Sequence, residues 1–257
     1  MVELTDECIG EDEVIVAFRR AAAADLRFLA WLHDREPDAG RLSDLRASGF
    51  PETLGLPLRN TAGQEASRLM AQAIGEISDG DEEDVIDELA VDYADIYLTY
   101  KFRSAPTESV WLDKENLERQ EPMFRIRQWY RKHDLAVGDW RRRSDDHFVV
   151  QLQFVAYLLE YADGDAGLEE AADFLDAHLL RWIGGFAGRV AGRCQTRFFA
   201  GLALITAAYV EQLRDILAEY LDHPRPEPEA AKDDRPVTAD EPDATAAMAP
   251  VSFGPGW

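Results

Sequence analysis

The sequence predicts an all-helical protein: a single-domain helical bundle over residues 1–222, followed by an acidic, disordered tail over 223–257. Three observations carry this. Apolar residues recur at three- and four-residue spacing through most of the chain, and no stretch alternates in the manner of a strand. The stretch from Phe148 to Tyr161 is apolar on nearly every face, which marks a buried central helix. From Asp222 the composition shifts to Pro, Glu, Asp and Ala without periodicity, a mixture that buries too little apolar surface to fold.

In order, the first helix runs from Glu11 to His33, with Val14, Ala17, Phe18, Ala21, Phe28, Leu29 and Leu32 on one stripe. Glu36-Pro37-Asp38-Ala39-Gly40 stops it. A weakly patterned stretch follows, then a helix over 64–78 carrying Leu69, Met70, Ala73, Ile74 and Ile77. An acidic loop over 78–84 leads into a helix from Val85 to Tyr100, whose single face holds Ile86, Leu89, Tyr93, Ile96, Tyr97 and Tyr100. Pro106 makes 104–113 a loop, because proline breaks a helix interior. Pro122 suits the first turn of the next helix, which continues to about His133.

The central helix is expected to open on Ser144 or Asp145 as its N-cap, with carboxylates favoured by the helix dipole. Asp163-Gly164-Asp165-Ala166-Gly167 ends it. One long helix from Leu168 to Val190 follows, kinked at Gly184-Gly185. The last helix runs from Gln195 to Leu221.

Composition narrows the function. Fifty acidic residues against 27 basic ones give a net charge of −23, which disfavours phosphate-backbone binding and hence a nucleic-acid partner. Lysine occurs only as Lys101, Lys114, Lys132 and Lys232, so the surface reads either as halophilic adaptation or as a match for a cationic partner. No apolar run approaches the ~20 residues that span a bilayer, and the acidic N-terminus is unlike a secretory signal. Cys8 and Cys194 stand far apart and suggest neither a disulfide nor a metal site, consistent with a reducing cytoplasm.

No phosphate loop, nucleophile elbow or metal motif is present, and no cofactor is expected. Asp146 and His147, two titratable residues at the mouth of an apolar helix, read either as a functional pair or as capping residues. His178 has Trp182 one turn on and reads as a packing residue. Trp111, in the proline-containing loop, reads either as a core anchor or as an aromatic wall for a peptide.

Four segments together resemble the TorD/DmsD family of molybdoenzyme chaperones. Pro106-Thr107-Glu108-Ser109-Val110-Trp111-Leu112-Asp113 is similar to that family's Pro-x-x-Ser-Val-aromatic-Leu-Asp motif. Asp92-Tyr93 with Ile96-Tyr97 resembles its Asp-Tyr-x-x-Leu-Phe helix, and Phe174 through His178 to Trp182 its Phe-x-x-x-His-Leu-x-x-Trp helix. Arg143-Ser144-Asp145-Asp146-His147 aligns with Glu-Pro-x-Asp-His, departing at Arg143 and Ser144; Gln151 replaces a glutamate usual four residues on.

The resemblance implies a non-enzymatic cytoplasmic chaperone, monomeric or homodimeric, without membrane insertion. Its partner would be the catalytic subunit of a molybdopterin oxidoreductase, bound through an N-terminal, often twin-arginine, leader until the cofactor is loaded. It assigns Tyr93, Ile96, Tyr97 and Trp111 to an apolar leader-binding wall, counts Pro106 among the leader-binding residues, and gives Ser109 to backbone hydrogen bonding and Asp146 with His147 to the polar end. Asp92, His178 and Trp182 are structural motif residues. The alternatives are a chaperone for a cytoplasm-retained, nitrate-reductase-type client, a hydrolase using Asp146 and His147, and an adaptor acting through its tail.

Overall fold

Helix α1 (Glu11–Asp34) lies along the central helix α7 (Phe148–Tyr161), which is buried on both flanks. This computed structural model describes residues 11–79, 82–138 and 143–226. The N-terminal segment with Cys8, the acidic connection at 80–81 and the tail from 227 onward lie outside the described residues, and with them the expected disorder of that tail.

The remaining helices are α2 (Ala39–Ser48), α3 (Thr61–Asp79), α4 (Glu82–Tyr93), α5 (Glu108–Leu112), α6 (Glu121–Lys132), α8 (Gly164–Ala177), α9 (Ile183–Ala191) and α10 (Arg197–Leu221). Among the described residues there is no strand, only one bridge between Thr107 and His147. Helix α10 packs on α3, α9 and α8, so it and α7 hold the core between them.

Four local expectations are corrected. The weakly patterned stretch contains α2: Asp38 caps it by accepting Arg41 N–H at 2.8 Å, and Gly49 ends it at φ +71°. Only Leu42 and Leu45 of that helix are buried, which is why no stripe was legible. The expected loop 104–113 contains the helical turn α5.

The expected helix from Val85 to Tyr100 changes form at Tyr93. Ala94–Leu98 is a π-helical segment, closed by Thr99 N–H to the Ala94 carbonyl at 2.8 Å. Asp92 and Asp95 are buried alongside Tyr93, Ile96 and Tyr97. Asp92 accepts Gln195 N–H (2.9 Å) and Thr196 N–H (2.6 Å), pinning the residues that lead into α10 from another helix.

The long helix from Leu168 does not kink at Gly184-Gly185, which lie inside α9. It breaks at His178, which leaves helical geometry (φ −127°, ψ −86°) and is followed by a 3₁₀ turn over Leu179–Arg181. The cause is long-range: His178 Nδ1 lies 2.9 Å from Glu108 Oε1, and both side chains are buried.

Candidate functional site

A cavity of about 1120 Å³ opens between the end of α1, the π-helical segment, the start of α7 and the connection after α6. That exceeds the ~300–1,000 Å³ of ordinary small-molecule pockets. Its apolar wall includes Tyr93, Tyr97, Leu98, Val150 and Phe154, and its charged lining includes Asp34, Arg35, Glu36, Glu118, Arg119 and Arg143. Carboxylates and guanidiniums balance within it, so it is amphipathic rather than acidic.

The floor is built around His33. Its Nδ1 is 2.5 Å from Tyr97 Oη and its Nε2 is 2.9 Å from Thr206 Oγ1. The Thr206 hydroxyl donates to the Leu202 carbonyl (2.8 Å), so it accepts from His33 Nε2–H, and Nδ1 accepts the Tyr97 proton. Burial, reinforced by the neighbouring His147, lowers the His33 pKa to about 3, in keeping with this neutral tautomer.

The rim is built on Asp34, the last residue of α1. Its carboxylate receives Arg143 Nη1 and its backbone carbonyl accepts Arg143 Nη2–H at 3.0 Å. The same carbonyl accepts the Tyr93 hydroxyl at 3.2 Å. Burial opposes ionisation of Asp34, but Arg143 and Arg35 outweigh it and hold the carboxyl below the usual range.

The predicted site residues divide. Tyr93, Tyr97 and His147 line the cavity; Ile96, Pro106, Ser109, Trp111 and Asp146 do not. Ile96 is fully buried in the core. The Pro106 carbonyl accepts Phe148 N–H at 2.9 Å, tying the motif loop to the start of α7. Ser109 is committed internally: its N–H donates to Asp146 Oδ2 (2.8 Å) and its Oγ accepts Gln120 N–H (3.2 Å).

Asp146 is 0% exposed. Its second carboxylate oxygen takes the Ser144 hydroxyl, and its backbone carbonyl accepts Glu108 N–H at 3.1 Å. These bonds hold Ser144 to Asp146 outside the helix, so α7 opens later than expected. Its N-cap is His147, whose Nδ1 accepts Val149 N–H at 3.2 Å. No hydrogen bond joins the Asp146 and His147 side chains. Desolvation and the Arg143 charge pull the His147 pKa to about 3, too low for a general base near neutrality. The geometry therefore gives the hydrolase alternative no acid–base pair.

Trp111 anchors its own turn and is not part of the cavity lining. Its indole N–H donates to the Ala105 carbonyl (2.8 Å), its ring lies 6.2 Å from Trp182, and the Arg189 guanidinium sits 4.3 Å over it. Gly185 makes the approach possible, since a Cβ there would lie 3.0 Å from the indole. Asp146 is fully buried and Trp111 lies outside the lining, so the two do not share this cavity. Sequence reasoning missed His33, Asp34 and Arg143 as cavity residues. The available signal was a polar His-Asp-Arg-Glu run closing an apolar helix just before Pro37.

A family model described as nitrate reductase delta subunit matches residues 59–188, half of the chain. A Vibrio cholerae serotype O1 protein named chaperone protein TorD is 30% identical over 140 residues, 51% of this chain and 63% of that protein. A Shewanella loihica protein of the same name is 27% identical over 197 residues, 74% of this chain and 90% of that protein. One from Vibrio vulnificus is 28% identical over 137 residues, 50% and 64% respectively. The chain spans less than two thirds of the Vibrio cholerae relative. The family match includes the motif loop, the π-helical segment and the start of α7, and it excludes α1 with His33 and Asp34.

Proposed function

The chain belongs to the nitrate reductase delta subunit family, and from that membership we propose that it is a maturation chaperone for a molybdopterin oxidoreductase. It acts in the cytoplasm, binding the N-terminal leader of the catalytic subunit and holding it until the cofactor is loaded. The observation that carries this reading is the amphipathic cavity of about 1120 Å³, large enough for a peptide segment. An apolar leader stretch suits the wall of Tyr93, Tyr97, Leu98 and Val150. Guanidinium groups suit carboxylates by forked hydrogen bonds, and Asp34, Glu36 and Glu118 supply carboxylates in the lining. A client that stays in the cytoplasm with a vestigial leader would use the same surface.

The test is calorimetry with a synthetic peptide carrying two adjacent arginines ahead of a Leu/Ala segment. Leu98 lines the cavity and is 64% exposed, so Leu98→Asp alters the wall with little risk to the fold. Binding by the wild type and loss in Leu98→Asp are expected. Equal binding by both proteins would refute the cavity as the docking site. Identification of a molybdopterin oxidoreductase by co-purification tests the client class separately.

A further inference from the structure

Resting on that reading of the cavity, we infer that Asp34 is the seat for a leader arginine and that Arg143 occupies this seat in the free chain, as an internal stand-in that the leader displaces.

The seat is a guanidinium site by construction. The carboxylate of Asp34 and the backbone carbonyl of the same residue face one guanidinium together. That carbonyl belongs to the last turn of α1, where the helix dipole adds negative potential. Tyr93 donates to the same oxygen and fixes its orientation. Asp34, Arg143 and Tyr93 all line the cavity, so the pair is reached from the space a leader would fill.

Exchange is electrostatically mild. One guanidinium replaces another on the same acceptors, so the partly buried carboxylate is not left uncompensated at the end of the exchange. Arg143 belongs to the connection before α7 and not to a helix, so no helical hydrogen bond is lost when it withdraws. Glu36 lines the same cavity and offers the released cation an acceptor.

The stand-in also sets specificity. A tethered competitor acts at a high effective concentration, so an arginine pair alone does not win the seat. The leader must bring apolar contacts to the Tyr93–Val150 wall as well. Arg143 thereby makes recognition depend on both halves of the leader.

The test compares two peptides on the full chain: the arginine-pair peptide with its Leu/Ala segment, and its twin with both arginines replaced by glutamine. If the seat is open about a tenth of the time in the free chain, removing the competitor tightens binding about tenfold. Arg143→Gln should bind the arginine peptide about tenfold more tightly and leave the glutamine twin unchanged. Asp34→Asn should bring the arginine peptide down to the affinity of its twin. Arg143→Lys, which keeps charge but loses the fork, should tighten binding to a smaller degree and serves if Arg143→Gln does not fold by circular dichroism. An unchanged ratio between the two peptides in every variant overturns the inference while leaving the leader-binding reading standing. Absence of any binding to the wild type and to Arg143→Gln overturns both.

Discussion

His33 Nδ1 and Tyr97 Oη meet at 2.5 Å beneath the cavity, joining α1 to the π-helical segment. The bond requires neutral His33, and burial lowers its pKa to about 3. Its unfolded pKa is near 6.5, so between the two values the unfolded chain binds more protons. The stabilisation is complete above about pH 6.5 and is lost as pH falls toward 3, by about 1.4 kcal/mol per pH unit. Half-buried His147 adds in the same direction. Buried Glu108, whose pKa is raised by desolvation against the opposing pull of His178, acts in the opposite sense below its folded pKa. Urea unfolding should show a falling midpoint from pH 7 to 5. His33→Gln should flatten that slope; an equal slope in the variant would remove His33 as its source.

Asp92 should be a large contributor to stability. It is buried and accepts two backbone N–H groups at the start of α10. Hydrogen bonds to a charged group contribute roughly 1.5–3 kcal/mol each, so Asp92→Ala should cost about 3 kcal/mol or more. Asp92→Asn keeps an acceptor and should cost less. Denaturant unfolding gives the ranking, and equal stability of both variants would contradict it.

The Trp111 turn is expected to act on stability more than on leader affinity. Trp111→Ala removes the contact with Trp182, and large aromatic truncations cost about 3–5 kcal/mol when buried, less for this half-buried ring. Gly185→Ala pushes a methyl group toward the same ring and should be destabilising too. Should either variant lose leader binding with its melting temperature intact, Trp111 would return to the binding surface.

Salt should stabilise the protein. A net charge of −23 repels itself when counterions are scarce, and the Debye length shortens from about 10 Å at 0.1 M to about 3 Å at 1 M. The melting temperature should rise steeply from low to molar salt. No change over that range would favour a cationic partner as the reason for the acidic composition.

Removing residues 227–257 should leave stability unchanged, whereas ending the chain at Asp222 should lower it. Beyond Asp222, Arg225 pairs with Glu211 and Asp215, and the His223 carbonyl accepts from buried Arg214 at 3.1 Å. Comparing the melting temperatures of the two truncations decides this, and equal values would show that 223–226 contribute nothing.

By itself the sequence determined what depends on neighbours along the chain. The period of apolar residues located α1, α3, α6, α7 and α10, because a helix must bury one stripe whatever it packs against. The motifs gave the family, and Tyr93, Tyr97 and His147 were legible as site residues through that resemblance, since each sits in or beside a motif segment. Tertiary structure alone decided where long-range bonds override local preference. The helix expected from Leu168 breaks at His178 because Glu108, 70 residues earlier, takes its imidazole. The carboxylate of Asp146 turns inward because Ser109 offers it a backbone N–H, and Asp34 meets Arg143 across 109 residues. Periodicity carries no record of such partners, since each depends on two segments that only folding brings within hydrogen-bonding distance.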